Sequence, residues 1–294
     1  MAAPVKQAPL VVIVGPTASG KSSLALRLAQ EFEGEIISAD SRAVYKTLDI
    51  GTAKPTAEER RLIRHWGIDL VEPGVRFTAA DFQRHARESI IDIRSRGKTP
   101  ILVGGTGLYV DSVIYDYEFP PARVELRSQY NDWPVEKLQA YCVKNNIKLP
   151  TNGKNPRHLV DAIVRQGYRA KRSELLPSDT FVVGIATEIE VLRERIANRA
   201  DQIFDSHVID EARQAGNDYG WDSESMTGNI YPILRQVIDG TISIDAAKEL
   251  FRISDWQLAK RQLTWLRRDT NIKWLSLADA YIYLARELVK TNKS

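Results

Sequence analysis

The stretch Leu10-Val11-Val12-Ile13-Val14-Gly15-Pro16-Thr17-Ala18-Ser19-Gly20-Lys21-Ser22 decides the fold. Five apolar, β-favouring residues run without a polar break into a glycine, which is the pattern of a strand buried on both faces of a parallel sheet. Gly15 to Ser22 then match G-x-x-x-x-G-K-[ST]. Glycines let such a backbone curl until successive N–H groups and a helix N-terminus face an anion; Lys21 adds a point charge, and the Ser22 hydroxyl can meet a metal ion. Gly15, Pro16, Thr17, Ala18, Ser19, Gly20, Lys21 and Ser22 therefore read as a phosphate cradle. Backbone donors recognise a phosphate chain whatever is attached to it, so the loop alone does not separate ATP from another diphosphate ester.

Working outward, a helix over about 22–32 and a strand over 35–40 complete one βαβ unit. Thr56 and Glu59 form a capping-box pattern that predicts a helix to about Trp66, followed by a strand over 68–71. A long helix over about 79–96 ends at Gly97, before a strand over 100–103. This alternation gives the α/β class: a P-loop NTPase-like parallel sheet flanked by helices. Strand signals then vanish. Residues 115–121 are aromatic and proline-punctuated, 135–146 form an amphipathic helix, and 150–156 are a polar loop. Strand character returns over 180–185, and beyond Glu188 the chain reads as helical apart from a short strand at 272–275. The expected organisation is a catalytic core of 1–115 and 179–294 with a helical C-terminal part, interrupted by a small helical insertion domain, 116–178.

Composition narrows the class. With 294 residues, 43% hydrophobic and 27% charged, the chain has material for a buried core and no disordered signature. A net charge of +3 is too small to mark a nucleic-acid binder, so any basic footprint must be local. Residues 251–269 hold five Lys or Arg against two Asp, an excess equal to that of the whole chain. The single cysteine, Cys142, excludes an intrachain disulfide and a cysteine zinc cluster and suits a reducing compartment. The longest strongly apolar run, 10–14, is far short of the roughly 20 residues that span a bilayer. A soluble, cytoplasmic protein with no membrane partner is expected. The four histidines, 65, 85, 158 and 207, show no metal-ligand spacing.

Two further segments point at the crevice above the sheet. Asp40 ends the second strand at its carboxyl edge, where ligands bind in open α/β sheets, although an Asp there also serves as a cap or turn former. Gly104-Gly105-Thr106-Gly107-Leu108-Tyr109 follows another buried-type strand, and Thr106 is equally suited to capping the next helix. On the helix predicted from about 255 to 268, Trp256, Ala259, Leu263 and Leu266 make a core-facing stripe, whereas Arg261, Thr264 and Arg268 lie opposite and can track phosphates. A second basic cluster, Arg165, Arg169, Lys171 and Arg172, sits in the insertion.

Gly-Pro-Thr-Ala-Ser-Gly-Lys-Ser at 15–22, Ser-Ala-Asp-Ser-Arg with Asp-Ile-Gly-Thr-Ala-Lys-Pro within 38–55, Gly-Gly-Thr-Gly-Leu-Tyr at 104–109 and Ala-Lys-Arg-Gln-Leu-Thr-Trp-Leu-Arg at 259–267 together resemble the tRNA dimethylallyltransferases, also called tRNA isopentenyltransferases, the IPP transferase family. The resemblance covers the first 110 residues well, the last hundred moderately and the insertion poorly. It implies transfer of a five-carbon allylic group from dimethylallyl diphosphate to N6 of the adenosine 3′ of the tRNA anticodon, by a monomer using Mg2+. Asp40 is then the candidate base, Thr106 contacts both substrates, and Arg199 stabilises the diphosphate. Asp40, Ser41, Arg42, Ala43, Thr106, Arg127, Lys260, Arg261, Gln262 and Arg268 are the implied tRNA contacts. Ser22 is the implied metal contact.

The chain departs from the family pattern at His158-Leu159-Val160-Asp161-Ala162-Ile163-Val164, which lacks two arginines usual in relatives, and at Thr227-Gly228-Asn229-Ile230-Tyr231-Pro232, which keeps only the tyrosine of the usual motif. The insertion is also short. These changes spare the diphosphate crevice and fall on implied tRNA contacts. An isopentenyltransferase acting on free adenine nucleotides and, more distantly, a P-loop phosphotransferase or a non-catalytic RNA-binding relative are the competing readings.

Overall fold

The computed structural model describes residues 7–119, 124–166, 168, 171–205 and 207–292. The chain divides into two compact units, 1–114 with 175–294, and 115–174.

In the larger unit, β1 (Leu10–Val14), β2 (Gly34–Ser38), β3 (His65–Trp66), β4 (Thr99–Gly104), β5 (Thr180–Ile185) and β6 (Lys273–Leu275) form an all-parallel sheet among the described residues, in the order β3-β2-β4-β1-β5-β6. The phosphate-loop strand is central: Val14 pairs with Gly104 on one side and Gly184 on the other. Every residue of β1 is buried, as its unbroken apolar run requires. Helices α1 (Lys21–Glu31), α2 (Ala57–Leu62), α3 (Ala79–Ser95), α4 (Gly107–Ile114), α8 (Ile189–Phe204), α9 (Val208–Tyr219), α10 (Tyr231–Ile238), α11 (Ile244–Leu266) and α12 (Leu277–Asn292) complete this unit; α5 to α7 belong to the other. Leu24, Ala25, Leu28 and Ala29 of α1 pack with Ala280, Leu284 and Leu288 of α12 against the sheet, since residues three to four apart share a helix face.

The smaller unit holds α5 (Val124–Ser128), α6 (Val135–Lys144) and α7 (Pro156–Arg165). Leu138, Cys142, Leu159, Val160 and Ile163 form its core, with Tyr130, Trp133 and Tyr141 packed around them. Arg169 of the second basic cluster lies outside the described residues.

Two local expectations are corrected. The helix capped by Thr56 stops at Leu62, and the edge strand forms at 65–66, not over 68–71. Ile63 is extended, the Trp66 indole N–H donates to buried Glu35 at 2.9 Å, and Gly67 turns the chain at φ 76°. A tertiary contact thus ends the helix early; Val71 keeps only an isolated bridge to Tyr45. The basic helix, expected from about 255, begins at Ile244, where the Ser243 hydroxyl accepts the N–H of Ala246. No helix among the described residues is long and apolar enough to cross a membrane.

Candidate active site

The loop from Gly15 to Ser22 curls through two left-handed residues, Ala18 at φ 60° and Gly20 at φ 90°, and delivers the chain into α1. Lys21 Nζ donates back to the Pro16 carbonyl at 3.0 Å. The Ser19 hydroxyl is buried with no hydrogen-bond partner, an orphaned donor in a cradle built for anions. Thr17 is the hub. Its N–H donates to Gln262 Oε1 at 2.8 Å, its hydroxyl accepts from Arg199 Nη1 at 2.7 Å, and that hydroxyl donates to Asp255 Oδ2 at 3.4 Å. Arg195, also on α8, donates to the Ser19 carbonyl at 3.2 Å.

Helix α11 reaches the loop because Asp255, Ala259, Gln262 and Leu266 recur at four, three and four residues along one face. Gly105 makes room for this: a Cβ there would lie 2.3 Å from Gln262 Nε2. Gln262, grouped with the RNA contacts on the resemblance, accepts the Thr17 N–H of the phosphate loop through its Oε1. Of the expected core stripe, Ala259 and Leu266 are buried, while Trp256 and Leu263 are half-buried.

Asp40 follows β2 and lines the same cavity as Thr17, Lys21, Ser22, Thr106 and Arg199, a space of about 480 Å³. Oδ1 accepts the N–H of Arg42 at 2.8 Å; Oδ2 has no hydrogen-bond partner among the described residues. The turn-forming reading of Asp40 therefore accounts for one oxygen and leaves the other free. Thr106 does not cap its helix with its hydroxyl, which accepts the N–H of Ser41 at 3.1 Å, so the two loops above β2 and β4 are joined. Arg42 Nη1 donates to the Glu224 carbonyl at 2.8 Å, and Ala43 is buried.

Sequence reasoning missed Asp255 and Arg195, and also Glu211 on α9. The Glu211 carboxylate accepts the N–H groups of Asp49, Ile50 and Gly51 at 2.7, 2.7 and 2.9 Å and the Tyr231 hydroxyl at 2.9 Å. It fixes the loop whose next residues, Thr52 to Pro55, line the cavity. A lone acid on an amphipathic helix carries no such signal in sequence.

Burial lowers the Lys21 pKa to about 8, against the Asp40 carboxylate, which raises it; Arg199 adds to the lowering. The free site thus holds Lys21 protonated below pH 8 and increasingly neutral above it. A bound anion favours the protonated form, so binding takes up a proton on the alkaline side. Calorimetric titration with inorganic pyrophosphate should show affinity that, once corrected for the ligand's own ionisation, is flat at pH 6–7 and falls above pH 8 by up to about tenfold per pH unit. In Lys21→Arg that limb should flatten, because a guanidinium does not titrate in this range.

On the outer side of α11, Lys260, Arg261 and Arg268 are exposed, and Arg261 also reaches the cavity rim. Trp265 pins this segment: its indole N–H donates to Asp111 Oδ2 at 2.8 Å, and a Cβ on Gly107 would lie 2.0 Å from its ring. In the smaller unit Arg127 is ion-paired with Asp161, one of the positions that departs from the family pattern.

A family model described as IPP transferase matches residues 43–269. The tRNA dimethylallyltransferase of Macrococcus caseolyticus is 35% identical over 298 residues, covering 97% of this chain and 96% of that protein. That of Halalkalibacterium halodurans is 36% identical over 287 residues, covering 92% and 91%. Among solved structures, the tRNA isopentenylpyrophosphate transferase from Bacillus halodurans is 33% identical with a TM-score of 0.73 and covers 97% of this chain and 98% of its own. A eukaryotic dimethylallyltransferase acting on tRNA shares the fold at a TM-score of 0.76 and 22% identity, over 92% of this chain and 74% of that one.

Proposed function

The chain belongs to the IPP transferase family, and on that premise we propose that it transfers the dimethylallyl group of dimethylallyl diphosphate to N6 of the adenosine 3′-adjacent to the anticodon in tRNA. The observation that carries the reading is a single cavity where the phosphate loop, Lys21 and Arg199 meet a carboxylate, Asp40, with one oxygen unpaired among the described residues. The first group binds a leaving diphosphate; the second accepts a proton. A bare RNA-binding module needs neither; a phosphotransferase can use both, and the family match favours prenyl transfer over phosphoryl transfer.

In the reaction the C1–O bond of the allylic ester breaks, the diphosphate leaves with the electron pair, and N6 bonds to C1 and gives up a proton. Loop N–H groups, Lys21 and Arg199 would take the charge that develops on the leaving oxygens. The N6 lone pair is delocalised into the purine, so the amine is a weak nucleophile. Asp40 Oδ2 would hold it in line and accept its proton, while the Arg42 N–H on Oδ1 keeps the carboxylate from rotating. The Thr106 hydroxyl, fixed by the Ser41 N–H, would orient the incoming base.

A divalent ion suits the site in one respect. The Ser22 hydroxyl and Asp40 line the cavity, and no group of three His, Cys, Asp or Glu converges among the described residues to cage a metal. Mg2+ typically keeps waters and binds through one or two protein oxygens plus substrate phosphates, and Ser22 would be its protein contact. When bound it would neutralise charge on the leaving diphosphate.

Mass spectrometry of unmodified tRNA incubated with the protein, magnesium and dimethylallyl diphosphate tests the proposal. A C5 increment on an anticodon-loop adenosine is the expected result; modification of free adenine nucleotides alone, with tRNA untouched, contradicts it. In the same assay Arg261→Ala with Arg268→Ala should weaken tRNA use and reduce the log–log salt slope of binding by about 0.7 to 0.9 per arginine removed.

A further inference from the structure

Asp255 is a buried carboxylate that the reaction as described does not use. It is 2% exposed and comes from the inner face of α11. Its contacts are all long: Thr17 Oγ1 at 3.4 Å and Arg199 Nε at 3.9 Å on Oδ2, and Asn229 Nδ2 at 3.5 Å on Oδ1. An acid buried with such contacts destabilises a fold. The Arg199 Nε is itself buried and has no hydrogen-bond partner. A buried carboxylate held only by long hydrogen bonds and a guanidinium N–H with no partner among the described residues thus face each other across a gap about 1 Å longer than a charge-assisted hydrogen bond.

We propose that Asp255 is a positioning residue for the diphosphate end of the cavity, acting through Arg199 and Thr17. The guanidinium is a planar fork of five donors. With Nε–H directed at Asp255, its plane is fixed from behind and the Nη groups are free to meet anionic oxygens. Nη1 donates to the Thr17 hydroxyl at 2.7 Å, and a phosphate oxygen would compete for that donor. As Nη1 transfers to the ligand, closure of the Nε gap gives the Arg199 Nε–H an acceptor, and the Thr17 hydroxyl keeps Asp255 as its own. The same carboxylate favours the charged form of Lys21.

The assignment to the donor end rests on the proposed prenyl transfer, but its test does not depend on turnover. Asp255→Asn is isosteric and is compared with wild type, Arg199→Lys and the double variant by calorimetric titration with inorganic pyrophosphate and magnesium, by kinetics in each substrate and by thermal melting. The expected result for Asp255→Asn is a loss of about tenfold or more in pyrophosphate affinity and a matching rise in the KM for the diphosphate donor. The KM for tRNA should stay within about twofold. The double variant should be within about threefold of the weaker single, the mark of groups that act as a unit. Unchanged pyrophosphate affinity, losses that multiply, or an equal decline for both substrates with a lowered Tm would overturn the proposal. If wild type binds pyrophosphate but transfers no prenyl group, the functional reading fails while the role of Asp255 is still decided by the titration.

Discussion

Asp40→Asn is expected to lower the rate of prenyl transfer by about 10² to 10⁴ while pyrophosphate affinity at pH 6.5 stays within about twofold. The asymmetry follows from the two oxygens of the carboxylate. An amide at this position keeps an oxygen to accept the Arg42 N–H, so the turn after β2 survives. What is lost is the acceptor for the N6 proton on the oxygen that has no partner. The low pH of the binding arm matters, because Asp40 supports the charge on Lys21. Removing that support moves the alkaline loss of pyrophosphate affinity below its wild-type position near pH 8. Single-turnover kinetics and calorimetry at pH 6.5 and 8.5 separate the effects. A parallel collapse of binding and rate at pH 6.5 would assign Asp40 to the diphosphate and not to the amine.

The second large effect is steric. A Cβ on Gly104 would sit 2.2 Å from the Ala39 carbonyl oxygen and 2.5 Å from its carbon. Neither strand can yield, because the Ala39 N–H bonds Val103 at 2.7 Å and the Thr106 N–H bonds Ala39 at 3.2 Å. Gly104→Ala must therefore push apart the ends of β2 and β4, the two segments that carry Asp40 and Thr106. A stability loss of about 2–4 kcal/mol is expected, which for a chain of this size lowers Tm by roughly 3–6 °C. Transfer should be impaired even well below that Tm. Gly97→Ala is the control: the residue is left-handed at φ 71° but a Cβ meets nothing within 4 Å, so the cost is confined to about 1 kcal/mol of backbone strain. Equal melting shifts for the two variants would remove the packing argument.

Legibility in the sequence tracked the range of the interactions involved. The phosphate loop, β1, β4 and β5 were readable because an uninterrupted apolar run and a glycine-rich turn are local signals with local causes. Asp40 and Thr106 were readable because each follows a strand directly. β3 was not, since its position depends on Trp66 meeting Glu35, a contact 31 residues apart. Gln262, Asp255 and Arg195 meet the loop across 245, 238 and 176 residues. On α11 the inward polar residues also interrupt the apolar stripe, so periodicity assigns them to no face. Gln262 is an example: it accepts the Thr17 N–H while nearby Lys260 is exposed, because a helix turns about 100° per residue.

The central claim is that one cavity holds the diphosphate at the Gly15–Ser22 loop and presents Asp40 to the amine of an entering adenine. A crystal structure of the protein with a non-hydrolysable dimethylallyl diphosphate analogue and an anticodon stem-loop tests this most directly. The account predicts the diphosphate on the loop N–H groups, Lys21 and Arg199, and the adenine N6 within about 3.2 Å of Asp40 Oδ2. A nucleobase bound elsewhere, or an Asp40 side chain turned out of the cavity, would contradict it.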